Sequence, residues 1–271
     1  MEGEKIISEN PQESSEDELP YSDKLIGMIT TPAKTMEQIS KYPLKPMTWL
    51  TPLIIFIVIS GLATFLYSSN PALKAEMETK SREAIEKSYN ERVEKGDMTQ
   101  EEADEEMEKV MTQMEKNAGS TMTFQFIGIA IYTFIAFFLI NLIYFALIRF
   151  ILKGEGGFGN CLTAYGLSYY ILIIQTIITI ILSLAFDKFY MSISLANIIE
   201  TDWTSFSGFL LRKADPFLIW FYVVLGIAYA KMFNSDDTKK YVILTLAVWI
   251  LGNLFLYYMS TVSQIFSGFA M

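Results

Sequence analysis

Apolar positions along this chain are gathered into blocks. Residues 46–73 carry no charge, with the most apolar part at 49–67. Residues 117–148 are uncharged too, and a third block lies within 156–186. A shorter block, 216–233, holds the single cation Lys231 near its end, where a long side chain can reach the headgroups. The fifth runs over 241–260, followed by an uncharged tail to Met271. The hydrocarbon core of a bilayer takes about 20 apolar residues in helical form, so five blocks are long enough, or nearly so, to cross it. Trp49, Tyr67, Trp203, Trp220, Tyr257 and Tyr258 fall near the expected interfaces, as aromatic belts do.

The polar stretches have patterns of their own. Residues 1–23 are acidic and serine-rich and read as a disordered leader. They lack a basic segment followed by an apolar core, so no cleavable signal peptide is expected there. Residues 24–45 predict an amphipathic surface helix. Thr31 serves as cap and Pro32 as first helical residue, with Met36 and Ile39 on a face opposite Lys34 and Glu37. A helix packed on the rest of the protein is the alternative. Residues 46–271 form the membrane domain, with 70–120 as a charged insert holding 8 basic and 14 acidic residues. In the insert, Leu73, Met77, Ala84, Ile85 and Tyr89 share one helical face. Gly96-Asp97 breaks the run, and Thr99 with Glu102 forms a capping box for a second helix. Ala103, Met107, Val110, Met111 and Met114 face one side of that helix. The pattern predicts an antiparallel helical hairpin with arms of ~30–35 Å. Residues 189–211 are too interrupted to span and too apolar for a free loop, so an interfacial or re-entrant segment is expected. The predicted fold is all-α: a polytopic membrane protein with a five-helix transmembrane bundle and a projecting polar hairpin.

Composition narrows the function. The chain has 271 residues, 52% hydrophobic and 19% charged, below the quarter charged residues usual in soluble domains. Histidine is absent, which removes His bases, the usual Ser/His and Cys/His pairs and the common zinc sets. Cys161 is the single cysteine, so no internal disulfide forms, and a buried small residue is its expected role. A net charge of −9 argues against nucleic acid as a partner. Arg149, Lys153, Lys231, Lys239 and Lys240 flank alternate connectors, which places the N-terminus inside and the C-terminus outside.

Candidate chemistry is sparse. Glu101, Glu102, Asp104, Glu105 and Glu106 point around a helix and match no calcium loop, so a solvated face is the simpler reading. Gly156 and Gly157 suit a tight turn with positive φ rather than a phosphate cradle. Asp215-Pro216 reads as a cap and first turn, with an ion or proton site at the interface as the alternative. Asn141, Gln175 and Asn253 lie inside spans; such amides bond between helices or line a polar pathway. Ala164-x-x-x-Ser168 and Gly226-x-x-x-Ala230 suit close helix packing. No catalytic residue, metal or cofactor is expected, and the lipid bilayer is the expected partner.

Several segments together resemble the Yip (Ypt/Rab-interacting protein) membrane-domain family. They are ITTPAKTMEQI and PLKPMTWLTP at the first block, GGFGNCLTAYGLSYY at the third and ADPFLIWFYVVLGIAYA at the fourth. The resemblance covers about residues 25–260. It implies five spans, a cytosolic N-terminus and a short outward C-terminus. Eukaryotic relatives act in membrane traffic and contact small GTPases; bacterial relatives are cytoplasmic-membrane proteins. This chain resembles the bacterial branch, since its leader is short and its large insert follows the first span. Pro46, Trp49, Pro52, Gly156, Gly157, Asp215, Pro216 and Trp220 match as structural landmarks. Two readings follow. In the first, a non-catalytic membrane scaffold recruits a partner or a second copy through residues 70–120, with Met107, Met111 and Met114 as the contact face. In the second, a small-solute or ion permease or channel is lined by Asn141, Gln175 and Asn253.

Overall fold

The structure, a computed structural model, describes residues 18–117, 121–197, 199 and 205–262. Among these there are ten α-helices and no strand. The short helices α1 (Tyr21–Thr30) and α2 (Pro32–Ser40) come first. α3 (Pro46–Ser69) leads almost directly into the polar pair α4 (Pro71–Glu94) and α5 (Gln100–Asn117). α6 (Thr121–Phe150) and α7 (Phe158–Phe186) are long and apolar. A connector with a 3-10 turn at Leu195–Asn197 and the helix α8 (Phe206–Lys213) precedes α9 (Pro216–Met232) and α10 (Thr238–Val262).

Four helices are long and apolar enough to cross a membrane: α3, α6, α7 and α10. α9 is also apolar but has only 17 residues, about 25 Å at 1.5 Å per residue. Proline stands at the start of α2, α3, α4 and α9, where its missing N–H costs nothing and its φ is already helical. Pro52, by contrast, lies buried inside α3.

α7 is the central helix. α3 runs parallel to it: Phe56 meets Tyr169 edge-on at 5.0 Å, and Asn70 Nδ2 donates to Asp187 at 3.0 Å. α9 runs antiparallel to it, from Asn160 Nδ2 donating to the Met232 carbonyl at 2.9 Å to Gln175 donating to Asp215. α10 lies against α9, with Thr245 Oγ1 donating to the Tyr222 carbonyl at 2.7 Å. In lipid, burying apolar surface between helices brings little, and close backbone approach must hold them together. Two glycines permit it. A Cβ at Gly166 would sit 2.6–2.8 Å from the Trp49 backbone and Cβ, and one at Gly226 would sit 2.5 Å from Val242 Cα. Gly226 belongs to a small-residue pair legible in the sequence; Gly166 lies inside Ala164-x-x-x-Ser168, between the two residues that pattern selects. Phe137, Tyr144, Tyr165, Tyr169, Phe221 and Tyr229 fill the centre as offset and edge-on rings.

The expected surface helix over 24–45 is instead two helices, parted at Thr31, and both dock on the bundle. Thr31 places no side-chain oxygen on a helix N–H; its carbonyl takes Thr35 N and Thr35 Oγ1, each at 3.0 Å. Met28 and Met36 are fully buried, while Lys34 and Glu37 stay exposed. Glu37 lies 3.8 Å from Lys231 at the end of α9. Glu18 pairs with Lys24 at 3.0 Å and also with Lys45, tying α1 to the start of α3. Most of the leader, the tail after Val262, and Glu200, Asp202 and Trp203 lie outside the described residues.

Candidate functional site

Two places gather polar groups: the buried N-cap of α9 and the root of the α4–α5 hairpin. Asp215 has no exposed surface. Its Oδ1 accepts from Phe217 N at 2.8 Å and Leu218 N at 3.3 Å, the two donors a cap must satisfy. Its Oδ2 accepts from Gln175 Nε2 at 2.6 Å and Ile193 N at 3.1 Å. One carboxylate thus joins α7, α9 and the connector between them. All four contacts are donors to a carboxylate, the arrangement that keeps a buried charge tolerable.

Asp215 opens α9, as the sequence suggests, and lies level with Gln175; α7 runs on for about 16 Å from there to Phe186. The connector fills the space left beyond the short α9. Ser194 and Ala196 are buried there, Leu195 N donates to the Ala214 carbonyl at 3.2 Å, and Phe209 of α8 packs 4.7 Å from Tyr257 of α10.

The three span amides do not meet. Gln175 bonds Asp215, Asn141 Nδ2 donates to Phe137 O of its own helix at 2.8 Å, and Asn253 Nδ2 donates to Trp249 O at 2.7 Å. Cys161 is buried, its Sγ 3.4 Å from the Asn141 carbonyl.

Neither Gly156 nor Gly157 takes the positive φ expected of a tight turn. The left-handed residue of that connector is Lys153, at φ 54°, and Gly157 has an extended φ of −93° as cap of α7. A Cβ at Gly156 would press within 3.0 Å of the Phe233 ring. Trp49 stacks on Phe137 at 5.5 Å, and Trp220 packs beside Phe217. Pro46 and Pro216 occupy first helical turns.

The hairpin is rooted on the same end of the bundle as the connector. Asn70 caps α4, its Oδ1 accepting from Ala72 N at 2.9 Å and Leu73 N at 3.3 Å. Leu73 is fully buried with Ala63, Tyr67 and Ile180, and Met77 packs on that group. Glu76 accepts from Phe189 N at 2.5 Å and pairs with Lys80 at 2.9 Å, while Lys80 donates to the Phe189 carbonyl at 3.1 Å. Burial raises the Glu76 carboxyl, but the Lys80 ammonium and the Phe189 N–H outweigh it and hold its pKa below the ordinary range. Leu73 and Met77 belong to the face legible in the sequence, whereas the link of Glu76 and Lys80 to Phe189 escapes it, because 109 and more residues separate them.

At the tip Gly96 takes φ 76° and Thr99 and Glu102 close a capping box, with N···O distances of 2.8 and 3.2 Å. Arg92 bridges the arms to Glu106 at 3.3 Å. The arms are less equal than the pattern suggests, about 36 Å for α4 and 27 Å for α5. Ala103 is buried, and Met107 and Met111 are half-buried. The side chains of Ala84 and Met114 lie outside the described residues. Of the acidic run, Glu102 serves the cap, Glu105 lies 3.4 Å from Lys109, and Asp104 accepts from Gln100 at 3.0 Å. Among the described residues no group of three or more His, Cys, Asp or Glu could hold a metal ion.

A family model described as the Yip1 domain matches residues 26–259. No curated protein and no solved structure matches the chain significantly.

Proposed function

The chain belongs to the Yip1 domain family, and from that premise we propose that it is a non-catalytic membrane scaffold that recruits a partner, or a second copy, through the α4–α5 hairpin. Its apolar helices make it a multi-pass membrane protein in a lipid environment. The observation that carries the scaffold reading is how the hairpin is held. It is latched at its root by Leu73, Glu76 and Lys80 and capped at its tip by Thr99–Glu102. A fixed polar arm standing on a membrane bundle offers a partner a surface whose ordering has already been met by the fold. The half-buried Met107 and Met111 supply adaptable contact area.

The bundle crosses five times in this reading, the short α9 being the fourth span in chain order, in a bacterial cytoplasmic membrane. The N-terminus and the α1–α2 pair are cytoplasmic, and the hairpin and C-terminus lie outside. The permease reading has less support, because Asn141 and Asn253 spend their amide donors on their own helices.

The test is a comparative purification from native membranes in mild detergent, of the intact chain and of a form lacking residues 74–116. Particle mass and co-purifying proteins are measured in both. A partner or second copy lost with the hairpin is the expected result. Identical mass and identical company in the two samples would overturn the scaffold role.

A further inference from the structure

The surface of α1 falls into three sectors. Lys24, Gly27 and Met28 are buried against the rest of the protein. Asp23 and Thr30, seven residues apart and so on one side of the helix, are polar and exposed. Between these sectors run Tyr21, Leu25 and Ile29, each four residues from the next, with Ile26 beside them. Ser22 is the one polar residue in that third sector, and its hydroxyl donates to Asp23 at 3.0 Å. Tyr21 is 45%, Leu25 38% and Ile26 56% exposed. Single exposed apolar side chains are ordinary. A continuous stripe of them along one flank of a helix calls for something to cover it.

The position of α1 indicates what that cover is. Glu18 pairs both with Lys24 of α1 and with Lys45, the residue that precedes α3. α1 therefore lies at the level of the first turn of α3, a helix long and apolar enough to cross the membrane. Met47 in that turn is exposed as well. At this level the surroundings of the bundle change from headgroups to acyl chains, so one helix meets water on one flank and hydrocarbon on the other. α2 differs: its exposed residues include Lys34 and Glu37, and it shows no comparable apolar stripe.

We propose that α1 is an interfacial helix held between the bundle and the bilayer, with Tyr21, Leu25, Ile26 and Ile29 in the boundary between headgroups and acyl chains. Met28 fastens the helix to protein, the apolar flank rests on lipid, and Asp23 and Thr30 face water. Tyr21 suits such a boundary, since its ring is apolar and its hydroxyl polar. This proposal stands apart from the scaffold role, since it involves neither α4 nor α5.

The experiment places a spin label on single cysteines of the full chain in phosphatidylcholine nanodiscs; the native Cys161 is buried. Leu25→Cys and Ile26→Cys probe the apolar flank, Asp23→Cys and Thr30→Cys the polar one. Relaxation of the label by oxygen, which collects among acyl chains, is compared with relaxation by a water-soluble nickel chelate. The oxygen-to-nickel ratio is expected to be several-fold higher at Leu25 and Ile26 than at Asp23 and Thr30. Equal ratios at all four positions overturn the proposal, because the flank then lies in water. Exclusion of both reagents at Leu25 and Ile26 also overturns it, because protein then covers the flank. The unsubstituted chain gives a check free of any folding defect. A phospholipid with a photoactivatable group on its acyl chain should mark Tyr21, Leu25 or Ile26 and leave Lys34 and Glu37 unmarked. An unmarked α1, or equal marking of α1 and α2, overturns the proposal.

Discussion

Asp215 does the work of several residues. A helix N-terminus leaves four N–H groups unpaired, and a carboxylate at the cap satisfies two of them in α9. Its second oxygen holds Gln175 and Ile193, groups that would otherwise be unpaired in the bundle interior. Asp215→Ala should therefore cost more than the ~1 kcal/mol of an ordinary cap. Two further polar groups lose their partner, and about 3 kcal/mol in total is expected. Thermal unfolding in detergent checks this, with Asp215→Asn retaining part of the loss because its amide oxygen still accepts. The cap and Pro216 were legible in the dipeptide. The Gln175 contact was not, because the chain separates the two residues by a 40-residue excursion.

Among the elements, the hairpin shows how local chemistry and distant contacts divide the task. Its tip is local: Gly96, Thr99 and Glu102 stand within seven residues and were readable as a break and a cap. Its root depends on the connector after α7. The Glu76 carboxyl is held below its ordinary pKa in the folded state, so its contribution has a defined pH dependence. The stabilisation is complete above the unfolded carboxylate pKa near 4.5 and is lost as pH falls through the lower folded value. Hydrogen exchange at Phe189 N and along α4 should rise steeply in that acidic range. Glu76→Gln should remove the pH step while raising exchange at neutral pH. The surface helix before α3 illustrates the opposite limit. Its periodicity identified Met36 and Ile39 as the apolar face, yet periodicity is the same for a helix on lipid and a helix on protein. Met36, fully buried in the core shared with α7 and α9, decides between them.

The whole molecule has two distinct ends. One carries α1, α2, the connector after α6 and the connector after α9; the other carries the hairpin, the connector after α7 and α8. Cys161 is the only cysteine and is buried, so the native chain gives a clean background for labelling. Cysteines introduced singly at Asp97 and Asp236 should react with a membrane-impermeant maleimide from opposite sides. In intact cells Asp97→Cys is expected to label and Asp236→Cys only after lysis. The reverse pattern would invert the proposed orientation, and labelling of both in intact cells would remove an odd number of crossings between them.

Sequence alone determined that this chain is helical and built for a membrane. Hydrophobic blocks, helix starts at Pro46 and Pro216, the break at Gly96 and the absence of histidine are local or compositional properties, and each needs no knowledge of neighbours. Tertiary structure decided which residue of α7 Asp215 meets, the docking of α1 and α2, and the latch at Glu76, Lys80 and Phe189. It also picked Gly166, rather than the flanking Ala164 and Ser168, as the point where α3 meets α7. The physical reason is common to all four. A span in lipid is apolar on every side, so its composition marks it as a span without marking which face meets protein. Only the packed helices, bringing Trp49 onto Gly166 and Gln175 onto Asp215, select among those faces.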